Sequence, residues 1–359
     1  MTFSSPFFLS ICIGVATTLA CIYLLKPVAE HIGLVDTPGG RKTHAAVVPL
    51  IGGIAIFVGF CFALLCLDIS LSNYRGLLAG SSILVLIGVI DDFRELTPRI
   101  RLVGQCLASI LLIEWGHLSL DRLGDLFFLG NINLGVASFF FTIIFVLAFI
   151  NAVNMIDGHD GLAGSIIMGQ AILLAYISYH FYAVHNINVL LIFIAVLFVF
   201  LMFNLPLFFR KRASIFMGDA GSTFMGFLIA WFAVDLSRIM FLHHASGLRE
   251  GYSPVTILWV LSYPILDLLS VVLHRAFSMR SPFLASRDHL HYLLVDVGFQ
   301  SNRVTYSLFL FSLVMGLVGI VMAEQSVREP WQLCGFIGVF LLYFVATVCL
   351  RKKVIQMKS

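Results

Sequence analysis

The sequence predicts an all-α polytopic membrane protein of about eleven transmembrane helices, with the N-terminus outside, the C-terminus cytoplasmic and the working site at the cytoplasmic face. Three observations predict it. The 359-residue chain is 60% hydrophobic and only 11% charged, where a soluble domain carries about 25% charged residues. Its apolar residues fall into many runs near the roughly 20 residues a helix needs to cross a bilayer. Its 22 Lys and Arg alternate between dense and sparse connecting segments.

The apolar runs are roughly 5–26, 51–72, 76–90, 101–117, 137–153, 162–181, 187–205, 222–242, 254–273, 304–324 and 331–350. No basic residue precedes Lys26, so the first run lacks the positive region of a signal peptide and reads as a retained helix. The third run closes on Asp91-Asp92, the fifth on Asn151–Asp160, and the eighth opens after Phe216-Met-Gly-Asp-Ala-Gly-Ser222. The chain reads as one integral-membrane domain, without an internal repeat or a low-complexity tract. Seven cysteines, at 12, 21, 61, 66, 106, 334 and 349, show no Cys-x-x-Cys spacing and read as buried free thiols.

Charge sets the orientation. Lys26, Arg41, Lys42, Arg94, Arg99, Arg101, Arg210–Arg212, Arg275, Arg280, Arg287, Arg303, Arg351–Lys353 and Lys358 put 17 basic residues on one side. The other side has 5, namely Arg75, Arg122, Arg238, Arg249 and Arg328. The rich side is expected to be cytoplasmic. The polar clusters fall on that side too, whereas His243 and His244 in an outer loop receive no role.

Asn151–Gly164 is the centre of the polar pattern. Two asparagines, two aspartates and a histidine stand between two apolar runs, and polar side chains there are costly unless they meet water, a metal or a ligand. Two Asp-Gly pairs imply a turn. Asp157 and Asp160 share a face if that turn is helical, and an ordinary polar loop is the plain alternative. Asp91 and Asp92 point about 100° apart on a helix. They can divide work, one toward a metal or phosphate and the other toward a basic partner, or they can simply solvate a helix end.

Asp219 or Ser222 can cap the helix that begins there. The same free amides attract phosphate, with Asp219 on the accompanying Mg²⁺. Arg287-Asp-His-Leu-His-Tyr292 suits phosphate or sugar contact better than zinc. Asp267, inside an apolar run, is a functional candidate or a structural hydrogen-bonding group. Together these residues fit a metal-assisted reaction of a phosphorylated, water-soluble donor at the bilayer surface. A secondary transporter is the competing class, but its sites tend to lie at the midplane between related halves.

Asp91-Asp92, Asn151-Ala-Val-Asn-Met-Ile-Asp-Gly-x-Asp-Gly, Phe216-Met-Gly-Asp-Ala-Gly-Ser and the His-x-His loop occur in this order. In them the chain resembles the polyprenyl-phosphate N-acetylhexosamine-1-phosphate transferase family. It is most similar to the WecA-like branch, the bacterial undecaprenyl-phosphate GlcNAc-1-phosphate transferases. The resemblance implies an enzyme of the bacterial cytoplasmic (inner) membrane that transfers GlcNAc-1-phosphate from UDP-GlcNAc to undecaprenyl phosphate and releases UMP. This is the first membrane step of a cell-surface polysaccharide such as O-antigen.

The resemblance implies Mg²⁺, with Mn²⁺ as a substitute, held by Asp219. Phe216 would stack on uracil, and Asn151, Asn154, Asp157 and Asp160 would line the nucleotide and diphosphate pocket. Asp91 or Asp92 would orient or deprotonate the lipid phosphate. Asn204, Lys42, His44, Arg287, His289 and His291 are further substrate contacts on this reading. Direct in-line displacement is favoured over a covalent aspartyl intermediate. The implied partners are the donor, the polyprenyl phosphate and the bilayer. Nucleic acid is not among them, and a homo-oligomer is left open. In two places the chain departs from the family pattern. Tyr292 stands where the branch usually has a last histidine, and Arg41-Lys-Thr-His44 aligns loosely. Another UDP-N-acetylhexosamine donor stays open, with the choice implied to lie around Arg275–Tyr292.

Overall fold

The computed structural model describes residues 5–37, 47–206, 212–245, 251–279 and 287–358. Lys42 and His44 lie outside them, as do Arg280 and Arg210-Lys211. The described chain is helical almost throughout. In order the helices are α1 (Ser5–Ile32), α2 (Gly52–Leu65), α3 (Arg75–Phe93), α4 (Pro98–Glu114), α5 (Ala137–Ile156), α6 (Leu162–His180) and α7 (Val184–Asn204). They continue as α8 (Gly218–Ala245), α9 (Pro254–Val260), α10 (Ser262–Phe277), α11 (Leu290–Asp296), α12 (Ser301–Glu324) and α13 (Glu329–Lys358). The only strands among the described residues form two short antiparallel pairs. Val35–Asp36 pairs with Val48–Pro49, and Arg122–Gly124 pairs with Ile132–Asn133.

Every predicted apolar run is helical, but the runs are not eleven equal spans. Among the described residues eight helices are long and apolar enough to cross a membrane, or nine if the bent pair α9–α10 counts as one. The run 51–72 holds only the 14-residue α2. At about 1.5 Å per residue, α2 rises about 21 Å against a hydrocarbon core of about 30 Å. It stops because Asp68-Ile-Ser70 intervenes, and Ser70 then accepts from the Ser72 amide at 3.4 Å to open a short 3₁₀ turn, Leu71–Tyr74. Helix α4 has 17 residues and carries Arg99 and Arg101 in its opening turns.

The run 254–273 breaks into α9 and α10, bent by 82°. Pro264 explains the place. A proline inside a helix lacks its N–H and clashes with the carbonyl four residues back, which here is Val260, the last residue of α9.

Helix α8 is the hub, packed against α2, α3, α5 and α6. Its Phe224, Phe227, Phe232 and Trp231 are fully or almost fully buried. The motif-bearing ends of α3, α5 and α8 meet because small residues let backbones approach. A Cβ at Gly88 of α3 would lie 2.3 Å from Ala220 Cα, so only glycine lets α3 reach the start of α8. The arm before α8 is fixed as well. Phe216 donates its amide to Pro49 O at 2.8 Å, and its own carbonyl accepts from Gly52 N at 2.9 Å. Met217 O accepts from Gly53 N at 2.9 Å, so the arm serves two of the orphan amides that open α2.

The cysteines are free, as expected, but none of the seven is fully buried, and Cys12, Cys334 and Cys349 lie exposed on long apolar helices. On a helix facing lipid, an outward thiol still sits in an apolar medium.

Candidate active site

The site begins where α5 stops. Asn151, in its last turns, donates to Gln105 Oε1 on α4 and to Leu147 O, each at 2.7 Å. One turn on, Asn154 donates to Asp219 Oδ1 at 2.7 Å and to Ser222 Oγ at 2.9 Å. A helix-spaced pair of amides thus ties α5 to α4 on one side and to the first turn of α8 on the other.

Asp157 closes α5, and the chain turns through Gly158–Gly161 into α6. Asp157 and Asp160 therefore do not share one helix face. Asp160 turns to the arm before α8, accepting from Ala213 N at 3.1 Å, while its carbonyl accepts from Thr305 at 3.4 Å. Asn204, expected as a substrate contact, is buried and serves as a brace: it accepts from Gly161 N at 2.9 Å and donates to Ile215 O at 2.9 Å. Burial, then the charges of Asp219 and Asp160, push the Asp157 carboxyl up to about 7.

Asp91 and Asp92 do divide work. Asp91, almost fully buried, accepts from Leu96 N at 2.6 Å and pairs with Arg101 at 3.2 Å. Asp92 accepts from Asp219 N at 2.8 Å and Ala220 N at 3.4 Å, so it caps α8 from another helix. Gly218, with φ +71°, brings the α8 start within reach of that carboxylate. The capping role that the sequence offered to Asp219 or Ser222 is taken by Asp92, and the Asp219 side chain is left to face the cleft.

Arg101 is the residue that sequence reasoning missed, having counted it only as a topology charge. Its guanidinium lies 3.2 Å from Asp91 and 3.6 Å from Asp219. A signal was available. An arginine at a helix N-terminus opposes the macrodipole, as do aspartates at a C-terminus, and Asp91 ends α3 just before Arg101 begins α4. Gln105 follows Arg101 at i+4 on the same face.

Asp91, Arg101, Gln105, Asn151, Asn154, Asp219 and Thr223 line a cleft whose apolar wall is Leu84, Ile87 and Gly88. Its free space is about 20 Å³, room for about one water-sized occupant. Thr223 donates to Asp219 O at 2.6 Å and steadies that turn. Five carboxylates gather here or just beside it, at 91, 92, 157, 160 and 219, and among the described residues lining the cleft Arg101 is the one guanidinium. Among the described residues no three His, Cys, Asp or Glu converge as a ready-made metal cage. That donor set suits Mg²⁺, which commonly takes one or two carboxylates and completes its shell with water and phosphate oxygens.

The His-x-His loop does arrive beside the Asn151–Gly164 stretch, but its histidines face inward. His289 is buried, with Nδ1 at 2.6 Å from Asp267 Oδ2, and Asp267 Oδ1 also accepts from Leu290 N at 3.0 Å and Tyr343 at 2.8 Å. His291 is fully buried, its ring stacked on His289 and pressed against Gly158. Burial holds its imidazole well below the usual histidine range. Both rings, expected as substrate contacts, are thus buried here against other side chains. Arg287 is partly exposed, 3.0 Å from Asp296 and 4.6 Å above the Tyr292 ring. Phe216 is partly exposed on its anchored arm.

Glycosyl transferase family 4 matches residues 74–237, which include all of this cleft. The undecaprenyl-phosphate α-N-acetylglucosaminyl 1-phosphate transferase of Escherichia coli (strain K12) is 33% identical over 328 residues, 91% of this chain and 87% of the relative. The protein of the same description from Yersinia pestis is 32% identical over 91% of this chain and 87% of its own. That from Haemophilus influenzae is 32% identical over 94% and 92%. The chain belongs to glycosyl transferase family 4, in the branch that holds these undecaprenyl-phosphate α-N-acetylglucosaminyl 1-phosphate transferases.

Proposed function

We propose that this protein transfers GlcNAc-1-phosphate from UDP-GlcNAc to undecaprenyl phosphate, releasing UMP. The observation that carries the reading is the acidic cleft with one guanidinium at the joined ends of α3, α4, α5 and α8, in a chain of this family.

An oxygen of the acceptor phosphate forms a bond to the sugar-linked phosphorus. The bond from that phosphorus to the oxygen bridging it to UMP breaks, and its electron pair leaves with UMP. Phosphate monoesters have a second pKa near 6, so most of the acceptor is ionised at neutral pH. Asp157 stands within the field of Asp219 and Asp160 and can take the remaining proton. Arg101 has donors beyond those used by Asp91 and Asp219, and these can fix a phosphate oxygen. Asn154 holds Asp219, and Asp92 holds the helix start that carries it.

Three anionic phosphates entering an acidic cleft require added positive charge. Mg²⁺ bound at Asp219, with Asp91 beside it, would offset diphosphate charge and align the leaving oxygen; Mn²⁺ suits the same oxygens. The lysine and arginine bias supports eleven membrane crossings, N-terminus outside and C-terminus cytoplasmic. In that arrangement α2, α4 and the bent α9–α10 complete the count in a bacterial inner membrane.

In purified protein, UDP-GlcNAc, undecaprenyl phosphate and Mg²⁺ should yield UMP and a lipid-linked product, and EDTA should stop it. Competing UDP-N-acetylhexosamines should slow the reaction less than unlabelled UDP-GlcNAc does. No UMP release from any of these donors overturns the reading.

A further inference from the structure

The turn after α5 carries a histidine that the reaction above does not use. His159 is only 7% exposed, and its Nε2 lies 3.4 Å from the main-chain oxygen of His291 on α11. Its ring meets His291 edge-on at 5.1 Å between centroids and Tyr292 at 5.3 Å. This contact joins segments 132 residues apart in sequence. Beside it, Gly158 of the same turn packs against His291 and Tyr292, and from the far side the α11 end is held through Asp267 on α10 and through Arg351, which donates to Asp288 O at 2.9 Å. Tyr292 in turn supports the guanidinium of Arg287, 4.6 Å above its ring.

We propose that His159 is a positioning residue, a clasp that seats α11 on the Asp157–Gly161 turn. Through Tyr292 it sets where Arg287 offers its charge to the nucleotide-diphosphate sugar. The geometry calls for a proton on Nε2 of the ring. With the proton on Nε2 it donates to the His291 carbonyl, while its flat face and edge fill the gap against two rings. Burial disfavours a second proton on the ring, as does Arg287, while the bond to the His291 carbonyl and the charge of Asp160 favour one; the balance holds the ring below the usual histidine range. The donor side of this inference rests on the UDP-sugar reading above, whereas the clasp itself is a statement about α11.

Two measurements test it. Amide hydrogen exchange over residues 290–296 needs no substrate and follows the clasp directly. His159→Leu keeps the volume and removes the donor, and it should speed that exchange about five- to tenfold. It should also raise the donor KM several-fold while leaving the acceptor KM and kcat within about twofold. His159→Gln keeps a donor at similar reach and should restore most of both. Unchanged exchange in His159→Leu, or donor and acceptor KM rising together, overturns the proposal. If the wild-type protein releases no UMP, the UDP-sugar reading falls and the exchange arm alone decides the clasp.

Discussion

Five aspartates crowd this site, and what each oxygen touches separates their duties. Asp92 spends both oxygens on the amides of Asp219 and Ala220, and Asp160 spends one on Ala213. Asp91 is neutralised by Leu96 N and Arg101. Asp219 keeps a partly exposed carboxylate, steadied by Asn154 through one oxygen and by the longer Arg101 contact through the other. Substitution of Asp219 by Asn keeps the shape and removes the charge, which also relieves repulsion among the acids. Asp219→Asn should therefore lower kcat by at least about 100-fold, the scale of losing one electrostatic group at a reacting centre. Its melting temperature without Mg²⁺ should match or exceed that of the wild type. Near-normal turnover with saturating Mg²⁺ would remove Asp219 from its post.

At the scale of elements, the site exists because helix ends are brought together more closely than ordinary side chains allow. Gly88 is the test of that. Any Cβ there meets the backbone of Ala220 rather than a flexible side chain, so Gly88→Ala must push α3 off the start of α8. Overpacking of this kind costs about 1–3 kcal/mol, read as a lower melting temperature. Activity should fall further than stability, because the same shift draws Asp92 away from its amides.

This dependence on close approach also explains what the sequence concealed. The apolar runs and the Asn-x-x-Asn spacing were legible because each is a local pattern, and the helices and the two amide ties follow it. The identity of the α8 cap was not, since Asp92 lies 127 positions from the amide it serves. The inward turn of His289 and His291 was equally hidden, because their partners Asp267 and Gly158 come from two other places in the chain, and Tyr343, which bonds Asp267 in turn, from a third. Pro264 and Arg101, by contrast, carried readable signals. A proline four residues after Val260 marks the break between α9 and α10, and a guanidinium at a helix start stands against the dipole.

Over the whole molecule, groups outside the spans pull stability in opposite directions as pH falls. Burial lowers His159 and lowers His291 further below the ordinary value of 6.5. Below pH 6.5 the unfolded chain gains two protons that the folded chain refuses, and stability falls with pH, by up to about 1.4 kcal/mol per unit for each. Asp157 acts the other way, because its folded value near 7 exceeds the ordinary 3.8. Between those limits the folded chain holds a proton that the unfolded chain has lost, so stability rises as pH falls. In acid the two histidines therefore pull stability down while Asp157 pulls it up. The variants should separate the contributions in thermal melts run in EDTA between pH 7 and 5. Asp157→Asn removes the opposing group and should make stability fall more steeply with acid than in the wild type, whereas His159→Gln removes one of the two histidines and should make it fall less steeply. Parallel curves for the two variants would show that neither the turn after α5 nor its clasp holds the environment described for it.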